Sequence, residues 1–180
     1  MLEREGRDWL RGYVQVYTGD GKGKTTASFG LALRAAGAGL PVFIGQFAKG
    51  THYSELDAFR RFTDLIELRQ FGAGGFIRGQ PSDEDRAAAA EGLAEVRRVF
   101  AAGRHRLVIM DEANIATHFG LFSVAELLAL IEEKPANVEL VLTGRRADPR
   151  IVARADLVTE MREIKHYYTA GVQARRGVEK

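Results

Sequence analysis

The chain has 180 residues with 26 basic and 24 acidic side chains, and its net charge of +2 is too small to argue for a nucleic-acid partner, although the sequence pI is near 9.0. It contains no cysteine, which excludes a disulfide framework, a thiolate nucleophile, an iron–sulfur cluster and a zinc knuckle. No apolar run approaches the roughly 18 residues of a membrane span, and Met1 to Asp8 is charged without an apolar signal core. A cytoplasmic protein is therefore expected, with no membrane and no nucleic-acid partner, as one domain over 1–180 that ends in a basic tail at 162–180.

The alternation Tyr13-Val14-Gln15-Val16-Tyr17 predicts a first strand, which runs directly into Thr18-Gly19-Asp20-Gly21-Lys22-Gly23-Lys24-Thr25-Thr26. A strand, a glycine-rich turn ending in Gly-Lys-Thr, and a helix behind it form the P-loop order. Glycines let backbone N–H groups turn toward phosphate oxygens, Lys24 supplies a point charge, and the Thr25 hydroxyl is placed for Mg²⁺. The helix adds its positive end. One position departs: the strict motif has Gly five residues before Gly23, and here it is Thr18. The alternative reading is a glycine-rich turn with an incidental Gly-Lys-Thr.

A helix is predicted from Thr25 to Ala36, stopped by Gly37 and Gly39, and then Val42 to Phe47 reads as a strand covered on both faces. A short helix over 54–62 and a strand from Leu65 to Phe71 follow. Gly72 to Pro81 is a glycine-rich loop, long enough to be functional. Ser82 caps a helix that runs to about Ala102 and stops at Gly103. Leu107 to Met110 is the next strand and ends in Asp111-Glu112; Ser123 to Glu126 fits a capping box that opens a helix to about Glu133. A strand over 138–144, a short helix around 149–155 and a strand over 157–161 complete the order. Such alternation predicts a three-layer α/β/α P-loop domain with a mostly parallel sheet of about six strands. The segments Thr18–Thr25, Gln46–Gly50, Phe71–Arg78, Asp111–Asn114 and Thr143–Arg146 then converge beyond the carboxyl ends of the strands.

An apolar strand ending in Asp111-Glu112 is the usual partner of a P-loop and brings a carboxylate near Mg²⁺. Glu112 also keeps ATP hydrolysis open, since an adjacent Glu polarises water in many ATPases. Arg145 and Arg146 either contact phosphates or an acidic substrate, or stand solvated in a turn. The four histidines lack metal-ligand spacing; His105 is expected to be exposed, and His166 is the candidate for a functional role. No Ser–His–Asp order points to acyl transfer.

With these residues in view, the chain resembles the ATP:corrinoid adenosyltransferases, which make adenosylcobalamin or its precursors. The matching segments are Tyr17 to Thr26 with Thr18 in place, Arg34 to Gly39, Gln46-Phe47-Ala48-Lys49-Gly50, Met110 to Asn114, Val141 to Arg145, Ala155 to Met161, and the tail Lys165-His166 and Gly171 to Glu179. The resemblance implies a RecA-like domain and transfer of the 5′-deoxyadenosyl group of ATP to cobalt(I) of a reduced corrinoid, cobalamin or cobyrinic acid a,c-diamide, with release of triphosphate. Cobalt(I) is itself the nucleophile, so the protein must orient two substrates and stabilise a departing polyanion.

On this resemblance Thr18, Gly19, Asp20, Gly21, Lys22, Gly23, Lys24, Thr25, Thr26 and Arg34 bind the nucleotide. Lys22, Lys24 and Glu112 serve the chemistry; Thr25, Asp111 and Glu112 hold Mg²⁺ or Mn²⁺; and Phe76, Arg78, Asn114, Arg145 and His166 face the corrinoid. His166 is not expected to ligate cobalt, since a strong axial donor would oppose reduction. Arg78 stands where better-studied members have Trp, and with Lys165, Arg175 and Arg176 it is expected to favour a corrinoid bearing free carboxylates. A homodimer and an electron-donating reductase are the implied partners. The competing readings are a generic P-loop ATPase or phosphotransferase, and a nucleotide-dependent binding module.

Overall fold

Six short strands carry the chain back and forth through the core of the computed structural model, which describes residues 9–74 and 79–179. They are β1 (Val14–Thr18), β2 (Val42–Phe47), β3 (Ile66–Phe71), β4 (Leu107–Asp111), β5 (Glu139–Thr143) and β6 (Leu157–Glu160). They form one sheet in the order β3-β2-β4-β5-β1-β6, and every neighbouring pair is parallel. The helices are α1 (Lys24–Gly37), α2 (Ser54–Phe59) with a 3-10 turn at Arg60–Phe62, α3 (Asp83–Ala102), α4 (Ala113–His118), α5 (Val124–Glu133) and α6 (Pro149–Arg154).

Side-chain alternation divides the core in two. Val42, Ile44, Leu107, Ile109 and Val141 face α1 and α2, where they meet Phe29, Ala32, Ala36 and Phe59. Phe43, Phe47, Val108, Met110, Leu140 and Leu142 face the opposite side, against Leu93 and Val96 of α3, Leu127 and Leu130 of α5 and Ile151 of α6. Helices on both faces of a parallel sheet make the three expected layers, and they explain why all six residues of β2 are buried.

Two helix starts form as their sequences predict. The Ser82 hydroxyl accepts from the Asp85 N–H at 3.1 Å while the Asp85 carboxylate accepts from Ser82 N–H at 3.0 Å, and Ser123 and Glu126 repeat that reciprocal box. Gly103 ends α3 at a φ of 63°. The sequence gives no sign of α4, because its N-cap is Glu112, at a left-handed φ of 62° and with no side-chain cap. His105 also departs from expectation. It is buried, edge-on to Phe43 of β2 with ring centroids 5.9 Å apart and 3.6 Å from Glu67 of β3. That burial holds its pKa below the usual imidazole value, against the pull of Glu67.

α3 approaches the sheet at Gly92, where a Cβ would stand 2.6 Å from Phe47 Cε1 and 2.8 Å from Phe71 Cγ. Alanine is the better helix former by about 1 kcal/mol, but overpacking two buried rings costs about 1–3 kcal/mol. Gly92→Ala is therefore expected to lower the unfolding midpoint by a few degrees, at about 2–4 °C per kcal/mol for a chain of this size. Scanning calorimetry decides it, and a higher midpoint would mean that the rings yield freely.

Candidate functional site

Strand register builds the floor of the site. Gln70 pairs with Gln46 and Gln46 with Asp111, Met110 beside Leu142 brings Asp111 next to Thr143, and Tyr17 pairs with both Thr143 and Thr159. A polar row thus crosses all six strands near their carboxyl ends. Apolar residues fill the rows behind it on the α1 side, from Val42, Ile44, Leu107, Ile109 and Val141.

Asp111 is the centre of that row and is wholly buried. Its Oδ1 accepts from Thr25 Oγ1 at 2.8 Å and Thr143 Oγ1 at 2.7 Å; its Oδ2 accepts from Gln46 Nε2 at 3.1 Å and Lys49 Nζ at 2.8 Å. Four donors match the four acceptor positions of a carboxylate. Gln46 is oriented in turn, since its Oε1 accepts from Gln70 Nε2 at 3.1 Å. Burial works against the Lys49 charge, but the Asp111 carboxylate outweighs it and holds the ammonium pKa above its ordinary value.

The loop between β1 and α1 turns at Gly19 (φ 92°) and Gly23 (φ 115°). Thr18 is the last residue of β1, not part of the turn, and its hydroxyl accepts from Ala147 N–H at 3.3 Å. Extended backbone at that position needs no glycine, which accounts for the departure from the strict motif. Gly19 and Gly21 also answer to the segment after β6: a Cβ would lie 2.4 Å and 2.7 Å respectively from the Met161 carbonyl oxygen, which accepts from Gly21 N–H at 2.7 Å. Lys24 is buried and donates to the Gly21 carbonyl at 2.6 Å. Its pKa is pushed down by burial and by Arg145, against the opposing pull of Glu112, Asp20 and Asp111.

The other candidates spread around this centre. Glu112 N–H donates to Thr143 Oγ1 at 3.0 Å, while its carboxylate has no hydrogen bond or ion pair with a described residue. Burial and then Asp111 raise its pKa, opposed by Lys49, Lys24 and Arg145. Asn114 is wholly buried; its Nδ2 donates to Gly144 O at 3.3 Å and its Oδ1 has no partner. Arg145 is exposed, and Arg146 stands 2.9 Å from His118 Nε2. Asp20 and Thr26 are exposed, and Lys22 Nζ donates at 2.9 Å to Val178 O in the tail. Arg34 is exposed ten residues along α1 from Lys24, about 15 Å by helical rise.

In the tail, His166 is half-buried and its Nδ1 accepts from Tyr168 N–H at 3.0 Å. Arg175 pairs with Glu179 at 3.2 Å and stacks over Tyr167; Lys165 and Arg176 are exposed. Phe76 and Arg78 lie outside the described residues. A cleft of about 450 Å³ lined by Arg11, Lys134, Arg154 and Asp156 sits at the opposite ends of the strands, apart from this cluster.

Sequence reasoning placed Gln46, Lys49 and Thr143 among the converging strand ends without giving them a role, and missed Gln70. The available signal was position: Gln46, Gln70 and Thr143 stand just before the end of a predicted strand, where parallel register aligns them with Asp111, and Lys49 follows two residues beyond one.

A parallel sheet, a glycine turn opening onto a helix, and a buried acid holding the Thr of that turn define a P-loop nucleotide-binding protein of the α/β class. The chain belongs to the ATP:corrinoid adenosyltransferase BtuR/CobO/CobP family, whose model matches residues 10–179. It is 38% identical over 170 residues to a corrinoid adenosyltransferase of Pseudomonas aeruginosa, covering 94% of this chain and 84% of that one. It is 38% identical over 173 residues to the corrinoid adenosyltransferase of Sinorhizobium sp (94% and 80% covered) and 33% over 169 residues to that of Escherichia coli K12 (94% and 86%).

The raised pKa of Glu112 has a consequence for stability. The folded chain holds that proton more tightly than the unfolded one, so stability falls as pH rises through the interval above the ordinary glutamate value of 4.5. Glu112→Gln keeps the shape and removes the charge. The variant is expected to be more stable than the wild type at neutral pH without nucleotide, with the gap closing as pH falls toward 4.5. Urea denaturation at several pH values measures this; a variant less stable at neutral pH would contradict it.

Proposed function

We propose that the chain binds the triphosphate of ATP in the Thr18–Thr26 cradle and presents the ribose C5′ to cobalt(I) of a reduced corrinoid, which displaces triphosphate. The observation that carries this reading is the Asp111 cluster. It fixes Thr25 at the helix start in the neighbourhood of Lys24, Glu112 and Arg145, groups suited to a polyanion and its cation.

The cobalt–carbon bond forms as the C5′–O bond breaks, with the electron pair coming from cobalt(I), so no side chain has to move a proton. The task of the chain is to stabilise charge on the leaving triphosphate. Lys24, the loop amides and the positive end of α1 act there. For Lys22 to join them it has to release Val178 O. Asn114 acts behind Arg145 through the Gly144 carbonyl, and Arg34 lies at the right reach for the far end of the nucleotide.

Oxygen donors suit Mg²⁺ or Mn²⁺. Thr25 spends its hydroxyl proton on Asp111 and keeps lone pairs free, and the Glu112 carboxylate is unpartnered among the described residues, so these two would hold the ion. Asp111, with its four donors, acts through Thr25. The bound ion would neutralise part of the charge on the triphosphate. Among the described residues no cluster of three or more His, Cys, Asp or Glu could hold a metal, so phosphate oxygens complete the set.

Phe76 and Arg78 are proposed to meet the corrinoid from the glycine-rich loop, with His166 nearby but not on the cobalt. The reading extends to a cytoplasmic homodimer supplied with electrons by a reductase. No helix among the described residues is long and apolar enough to cross a membrane. Exposed Leu157, Val158, Ile164 and Tyr168 give a dimer apolar surface to cover.

The test is anaerobic incubation with ATP, Mg²⁺ and a chemically reduced corrinoid. Loss of the cobalt(I) absorbance with triphosphate formed one for one is expected; orthophosphate release with an unchanged corrinoid spectrum would establish the ATPase alternative instead. Lys24→Ala is expected to slow transfer by about 10²–10³-fold while corrinoid binding stays measurable. Near-normal turnover in that variant would overturn the cradle assignment.

A further inference from the structure

The segment after β2 brings a further lysine, Lys49, onto Asp111. Ala48 takes a left-handed φ of 53°, and the chain there is clasped by the start of the loop after β3. A Cβ at Gly50 would lie 2.5 Å from Gly72 O and Gly74 N, and one at Gly72 would lie 2.8 Å from Lys49 N and O. Backbone packed this closely fixes where Lys49 leaves the chain. Its side chain is only 14% exposed, runs past Tyr53 with Nζ 5.2 Å from the ring centroid, and ends 2.8 Å from Asp111 Oδ2.

We infer that Lys49 is a positioning residue for ATP: it pins the Asp111 carboxylate so that Oδ1 stays turned toward Thr25. The inference rests on the nucleotide reading of the cradle. A buried ion pair is weak evidence for stability, because well-packed apolar residues often replace one without loss. What such a pair does provide is a fixed orientation, and here the oriented group touches the Thr of the phosphate loop. Lys49 is the cation that ion-pairs with Asp111 among the described residues. Without it, Oδ2 keeps only the longer bond from Gln46 at 3.1 Å, and the buried carboxylate can rotate away from Thr25. The effect runs through Asp111 and Thr25, so it belongs to ATP and not to the corrinoid.

The experiment is steady-state kinetics of full-length Lys49→Met and Lys49→Arg with each substrate varied, beside the wild type. Lys49→Met is expected to raise the KM for ATP by about 10–100-fold, the scale of one hydrogen bond to a charged group, with the corrinoid KM within about twofold. Lys49→Arg restores the cation and should recover most of the loss. A Lys49→Met enzyme with a wild-type KM for ATP overturns the inference, as does a loss falling equally on both substrates or an Arg variant no better than Met. Should Lys49→Met fail to fold, Lys49→Gln, which keeps a donor and drops the charge, takes its place with the same two outcomes. An inactive wild type would instead count against the transfer reading itself.

Discussion

The whole carboxyl edge of the sheet depends on one buried charge. An uncompensated carboxylate in a protein interior costs several kcal/mol, and Asp111 avoids that cost only because four donors from four parts of the chain reach it. Thr25 comes from α1, Thr143 from β5, Gln46 from β2 and Lys49 from the segment beyond β2. Remove the register of any of these strands and the charge is stranded. The phosphate loop is thus tied to the sheet through the residue that would be most expensive to leave unpaired. The same tie explains why Asp111 and Glu112, adjacent in sequence, have different work: a left-handed φ of 62° at Glu112 turns its carboxylate out of the row that holds Asp111.

How much of this was legible depended on whether the information was local. The strand-turn-helix order, the Ser82 cap, the Ser123–Glu126 capping box and the glycine at the end of α3 are written within a few neighbouring residues, and the sequence alone was enough for them. Membership of the polar row is not local. Gln70, Gln46, Asp111 and Thr143 are brought together by strand order, β3-β2-β4-β5, which periodicity does not contain. His105 failed for the same reason: a polar connection looks exposed until β2 and β3 are brought beside it. α4 failed on propensity, since a Glu in the left-handed region is not a start signal. Nor could sequence show the contacts of two candidate site residues, Lys22 with the Val178 carbonyl and Asn114 with the Gly144 carbonyl.

The glycines of the loop are also more constrained than a phosphate alone requires. Gly19 and Gly21 both lie against the Met161 carbonyl, so the turn is shaped by the strand that pairs with β1 as well as by any ligand. The chain beyond β6 then continues to Val178, which meets Lys22. A tail that touches the loop at both of its ends is part of how the loop keeps its form.

The electrostatics of the site fit the proposed metal triphosphate better than a simple anion. The protein places like charges together twice: Arg145 works against the charge on Lys24, and Asp111 works against the charge on Glu112. Each pair sits within the field of the other, which lessens the repulsion without removing it. A polyanion entering the cradle relieves the cationic pair, and a divalent cation relieves the acidic one. Either alone would leave the other pair strained and would add its own charge beside it. A ligand that brings both together would satisfy the two pairs at once, as the metal-bound ATP of the proposed function would. Pre-set strain of this kind is cheap here because Asp111, the one charge that cannot be exposed, is fully satisfied before any ligand arrives.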